Sequence, residues 1–122
     1  MARHNELGKW GEELAVGRLV ADGYAIRERN WRMGRYEIDI VAMQGATIVF
    51  CEVKTRSGSD PFDAIDSRRI NHMVASARVY MEANKIEALD VRFDVIGICG
   101  TPETGHSLEH VRDAFDVPLT TY

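Results

Sequence analysis

Glu37, Asp39, Glu52 and Lys54 are the side chains whose types and spacing could do chemistry together. They lie in two runs, residues 36–43 and 47–54, that are rich in Ile, Val, Phe and Tyr. Gln44-Gly45 separates the runs, a pattern that predicts two strands joined by a tight turn. With Gln44-Gly45 as a two-residue loop, Met43 pairs with Ala46, Asp39 falls opposite Phe50, and Glu37 falls opposite Glu52. Side chains on a strand alternate faces with period two. Glu37, Asp39, Glu52 and Lys54 are therefore expected on one face, and Ile38, Ile40, Cys51 and Val53 on the other. Opposed carboxylates destabilise a sheet unless a cation lies between them. Lys54 with neighbouring arginines can neutralise the patch, as can solvent, but a divalent ion satisfies two carboxylates at once. The stretch ATIVFCEVK is apolar enough to be a central, buried strand, where charges need partners. An all-oxygen donor set favours magnesium or manganese over zinc.

The elements that must position these groups follow from periodicity. Residues 3–21 read as a helix, with Gly8, Glu12, Ala15 and Leu19 on one stripe and Asp22-Gly23 at its end. A carboxylate on a face of small and apolar residues points toward the sheet, so Glu12 joins the candidate patch. Glu13, four residues after Lys9, reads as a solvated surface pair. Residues 24–31 form a first strand, and residues 57–63 are the most turn-like stretch. A second helix is expected at 64–83, with Ile70, Met73, Ala77, Tyr80 and Met81 at helical spacing. Residues 91–98 form another strand, a turn follows at 100–105, and 107–111 offers a last edge strand. The order α-β-β-β-α-β predicts an α/β fold, a three-layer α/β/α domain around a mixed central sheet of about four or five strands. One domain over 1–122 is expected, with a core at about 6–116 and a tail at 117–122.

A length of 122 residues suits one domain. Hydrophobic residues at 45% and charged residues at 28% exclude a disordered chain. No apolar run reaches the ~20 residues needed to span a bilayer, and residues 1–10 lack the apolar core of a secretory signal. The expected setting is cytoplasmic, with no membrane partner. Cys51 and Cys99 stand far apart without metal-ligand spacing, and read as buried thiols. A net charge of −4 weighs against nucleic acid. Its distribution weighs the other way, since Arg27, Arg29, Arg32 and Arg35 face only Glu28 before Glu37.

Asp39 followed by Glu52-x-Lys54 resembles the D…(D/E)-x-K signature of restriction-endonuclease-like proteins. Gly8-x-x-Gly11-Glu12-x-x-Ala15, Gly23-Tyr24, Arg29-Asn30, Glu37-Ile38-Asp39, Phe50-x-Glu52-Val53-Lys54-x-Arg56, Ala77-Arg78, Arg92-Phe93-Asp94 and Ala114-Phe115 together resemble the bacterial YraN family, related by fold to archaeal Holliday-junction resolvases. The resemblance spans about residues 6–116. It implies a metal-dependent endonuclease acting on nucleic acid, DNA above all and branched or structured DNA in particular, with a homodimer as one arrangement. Asp39 and Glu52 would ligate magnesium or manganese, with Glu12 completing the shell or supporting a second ion. Lys54 would orient the attacking water, with Glu37 and Asp94 in supporting roles. Arg32, Arg35, Arg56 and Arg69 are the candidate phosphate contacts; a solvated basic face accounts for them as well. Tyr36 stands where that family usually has glycine, and Arg69 where it usually has lysine. The alternative reading is a non-catalytic nucleic-acid-binding or scaffold protein that keeps the fold. The four histidines read as surface or structural groups, Trp10 and Trp31 as core, and Asp94 first of all as a partner of Arg92.

Overall fold

A computed structural model describes residues 2–87 and 90–115, with side chains from residue 5 onward; the tail read at 117–122 lies outside the described residues. The chain runs α1 (Ala2–Ala21), β1 (Ala25–Met33), β2 (Tyr36–Gln44), β3 (Thr47–Arg56), a 3-10 turn (Pro61–Ala64), α2 (Ser67–Ala83), β4 (Asp90–Thr101) and β5 (Gly105–Val111). The strands form one sheet in sequence order, with β3 at its centre. All neighbours are antiparallel except β3 and β4, which run parallel because the connection crosses over through α2. This is the expected three-layer α/β/α fold, with a mixed sheet of five strands.

Alternation on β3 feeds both layers. Val49 and Cys51 join Ile40, Ala42, Ile96 and Ile98 beneath Ala15 and Leu19 of α1. Ile48 and Phe50 join Ile38, Val41 and Phe93 against Met73, Val74, Ala77 and Tyr80 of α2. Trp10 packs at the margin of the first cluster and Trp31 at that of the second. The α1 contact uses Gly11 rather than Gly8, which is exposed. A Cβ on Gly11 would lie 1.9 Å from the Thr55 hydroxyl oxygen.

Four sequence expectations are corrected. The β2–β3 turn is Gly45-Ala46, since Gln44 pairs with Thr47, and Gly45 takes the positive φ of 59° that the turn requires. Ladder pairing stops at Ile40–Cys51, so Glu37 does not face Glu52; its cross-strand partner is Arg32 on β1. Strict alternation fails at Asp39: Ile38 and Val41 pack toward α2, whereas Ile40 and Ala42 pack toward α1. The cause is a splay between β2 and β3, where Asp39 Oδ2 accepts the Val53 backbone N–H at 2.8 Å in place of a ladder carbonyl. Finally, α2 begins at Ser67 rather than 64, because the Asp66 carboxylate caps it by accepting the Arg69 N–H at 2.9 Å.

Candidate metal and phosphate site

The splay opens a cleft of about 530 Å³ between α1 and the sheet. Its lining includes Asn5, Lys9 and Glu12 of α1, Asn30 and Arg32 of β1, Asp39 of β2, and Lys54 and Arg56 of β3. Asp39 sits at this opening as a partly buried carboxyl. Desolvation first, and then the neighbouring Glu52 carboxylate, push it up to about 7, against the pull of the Val53 hydrogen bond and of Arg69. Asp39 thus senses the Glu52 carboxylate, although the two are not cross-strand partners.

Glu52 is on the same strand as Lys54 but is 3% exposed and does not line the cleft. Arg69 Nε and Nη2 donate to its two oxygens, each at 2.9 Å, and Lys54 Nζ lies 3.3 Å from Oε2. Lys54 thus bridges the cleft to the buried carboxylate. Glu12 Oε1 accepts from Asn30 Nδ2 at 2.7 Å and from Arg29 Nη2 at 3.2 Å, while Glu13 pairs with Arg29 rather than Lys9. Asn30 holds this position with φ at 50°, a left-handed conformation that asparagine tolerates better than most side chains. Its role was missed by strand periodicity, which treats every position as extended. Two signals point to it: an asparagine inside a strand pattern, a residue type depleted there, and the Arg29-Asn30 pair within the family resemblance.

The remaining candidates divide. Arg32 and Arg56 lie on the cleft, although Arg32 Nη2 also meets Glu37 Oε2 at 2.8 Å. Arg69 serves Glu52 from the α2 side. Arg35 stands over the Tyr36 ring, 5.4 Å from its centroid, away from the cleft lining. Asp94 is not brought to Asp39. It is fully buried with Arg92 on both oxygens at 2.9 and 2.8 Å, His110 Nε2 at 2.8 Å and the Asp113 N–H at 3.0 Å. Burial alone would raise its carboxyl, but the hydrogen bonds from His110, Arg92 and Asp113 outweigh it and hold the group at about 2. Both cysteines are free thiols; Cys51 is buried, whereas Cys99 is only partly so.

Among the described residues no three acidic, histidine or cysteine side chains converge as a ready cation cage. The donor chemistry nevertheless fits a hard divalent ion. Asp39 and Glu52 supply oxygens only, and their mutual repulsion is the kind a cation relieves. Such an ion would compete with Arg69 for Glu52.

The family model described as "Uncharacterised protein family UPF0102" matches residues 11–98, a span that contains Glu12, Asp39, Glu52, Lys54 and Arg69. A UPF0102 protein of Bacteroides thetaiotaomicron is 46% identical over 123 residues, covering 98% of this chain and 99% of its own length. Another from Christiangramia forsetii is 42% identical over 118 residues, covering 94% of this chain and 98% of its own length. The chain belongs to the UPF0102 family, which is the YraN family.

Proposed function

We propose that this protein is a metal-dependent phosphodiester hydrolase acting on nucleic acid, with structured DNA as the favoured substrate. The observation that carries the reading is Asp39. An aspartate wedged into a strand splay and raised to about 7 by burial and by Glu52 is poised to take up a cation. Asp39 and Glu52 would hold magnesium or manganese, and such an ion supplies an acidified water and offsets phosphate charge. Lys54 has donors only, so it orients the nucleophilic water and stabilises the charge developing on the phosphoryl oxygens. Glu12, fixed by Asn30 and Arg29, holds a second carboxylate at the cleft. Lys9, Arg32 and Arg56 bind flanking phosphates.

A second reading, a nucleic-acid-binding scaffold without turnover, is favoured by the two-pronged hold of Arg69 on Glu52, which already neutralises the buried carboxylate. A cleavage panel of linear, flapped and branched DNA and RNA with magnesium or manganese separates the two. Lys54→Ala should lose ~10²–10³ in rate, as for one preorganised donor, while keeping its divalent-ion affinity. Cleavage that persists unchanged in Lys54→Ala would end the mechanism. Absence of cleavage across the panel, with binding retained, would establish the scaffold.

A further inference from the structure

The tip of the β1–β2 hairpin carries a surface that the hydrolytic site does not use. Met33 and Tyr36 are cross-strand partners that close the hairpin. Met33 is 47% exposed, one of the two exposed large hydrophobic residues among those described. The Tyr36 ring lies nearly parallel to His72 of α2, at 6.2 Å between centroids and 16° between planes. Neither ring belongs to a core cluster, and both are only half-buried. Arg35 stands over Tyr36, and Arg68 is exposed on the first turn of α2. A thioether and two stacked rings bordered by guanidinium groups match the two halves of a nucleotide, its π-face and its phosphate.

We infer that Met33, Tyr36 and His72 form a stacking platform for an unpaired nucleobase, which takes the place of the Arg35 guanidinium on the Tyr36 ring and leaves Arg35 and Arg68 to the adjoining phosphates. The inference rests on the nucleic-acid reading above and narrows its substrate class. The platform adjoins the candidate site through two links. Glu37, next to Tyr36, pairs with Arg32 at the cleft, and Arg69, one helical turn before His72, grips Glu52. Bases in the interior of a duplex are stacked on both neighbours and offer no free face. A substrate that fits therefore carries an unstacked base beside the scissile phosphodiester, as at a single-stranded end, a flap or a branch point.

The experiment uses the full chain and oligonucleotides bearing 2-aminopurine, whose fluorescence falls on stacking, as a single strand and as a blunt duplex. The wild-type protein should quench the single-stranded base and bind that strand more tightly than the duplex. Tyr36→Leu should abolish the quenching and weaken single-strand binding by ~10-fold, the scale of one base–aromatic stack, with duplex binding unchanged. Tyr36→Phe should behave as wild type, and His72→Ala should fall between. Tyr36→Leu that quenches and binds like wild type, with only its melting temperature lowered, would reduce the ring pair to packing and overturn the platform alone. Failure of the wild type to bind any oligonucleotide would overturn the platform together with the hydrolase reading.

Discussion

Asp39 and Arg69 govern the same small volume from opposite directions. An aspartate in an unfolded chain titrates near 3.9, whereas native Asp39 does so at about 7. Below about pH 4 both states carry the proton. Between about 4 and 7 the native state keeps a proton that the unfolded chain has lost, so stability falls as pH rises through that window. Asp94 is depressed to about 2, so its contribution is present above about 4 and lost only in stronger acid, outside the Asp39 window. Asp39→Asn can still accept the Val53 N–H but cannot ionise. Urea midpoints compared at pH 5 and pH 8 should fall for wild type and stay nearer constant for Asp39→Asn. Adding magnesium or manganese at pH 8 should raise the wild-type midpoint and leave the variant unmoved. An equal shift in both would place the ion elsewhere. Arg69→Ala removes one partner of a buried pair and should cost about 3 kcal/mol, somewhat less to the extent that Lys54 compensates. In the same variant, titration calorimetry should find tighter divalent-ion binding, because Glu52 is released. Unchanged affinity would mean that the ion does not use Glu52.

At the scale of elements, α1 reaches the site only because it lies directly on β3. Gly11 permits that approach, and Glu12 is the next residue, so the packing contact and the candidate ligand are coupled. Gly11→Ala should cost ~1–3 kcal/mol through overpacking against Thr55. Thr55→Ala in the same chain should recover part of that loss in thermal unfolding; no recovery would mean that the strain lies elsewhere. The strand and helix pattern was readable in the sequence because apolar periodicity is enforced by two packed faces. The side-chain parity of β3 survived the misplaced turn, since the slip moved each partner by two residues, an even number. What the sequence could not give is the splay at Asp39. Alternation assumes an unbroken ladder, and a side chain that replaces a ladder carbonyl leaves no periodic trace. The pairing of Arg69 with Glu52 is equally hidden, because it joins a strand to a helix inside the crossover, with no shared periodicity. The pairing of Asp94 with Arg92 is legible, since the two lie two residues apart on the same face of one strand.

Over the whole molecule, a net charge of −4 coexists with Lys9, Arg32, Lys54 and Arg56 around one cleft. Affinity for nucleic acid should therefore depend on local contacts and fall with salt despite the acidic total. About four phosphate contacts give a slope of about −3 in log affinity against log salt. Arg56→Glu should flatten that slope by about one, and a salt-independent affinity would exclude the cleft as a phosphate track. Among the described residues no helix is long and apolar enough to cross a membrane.

The order of the sheet has a kinetic meaning as well. All four strand pairings join consecutive strands, but three are short hairpins, while β3–β4 alone must wait for the crossover from Arg56 to Asp90 to close. Loop-closure entropy is therefore concentrated in a single event. The β2–β3 hairpin carries Asp39, Glu52 and Lys54 without needing that closure. Arg69 comes from α2, inside the crossover, and reaches Glu52 only when that helix docks. The burial that, together with the Glu52 carboxylate, raises Asp39 thus belongs to the assembled sheet and its helices, not to the hairpin by itself.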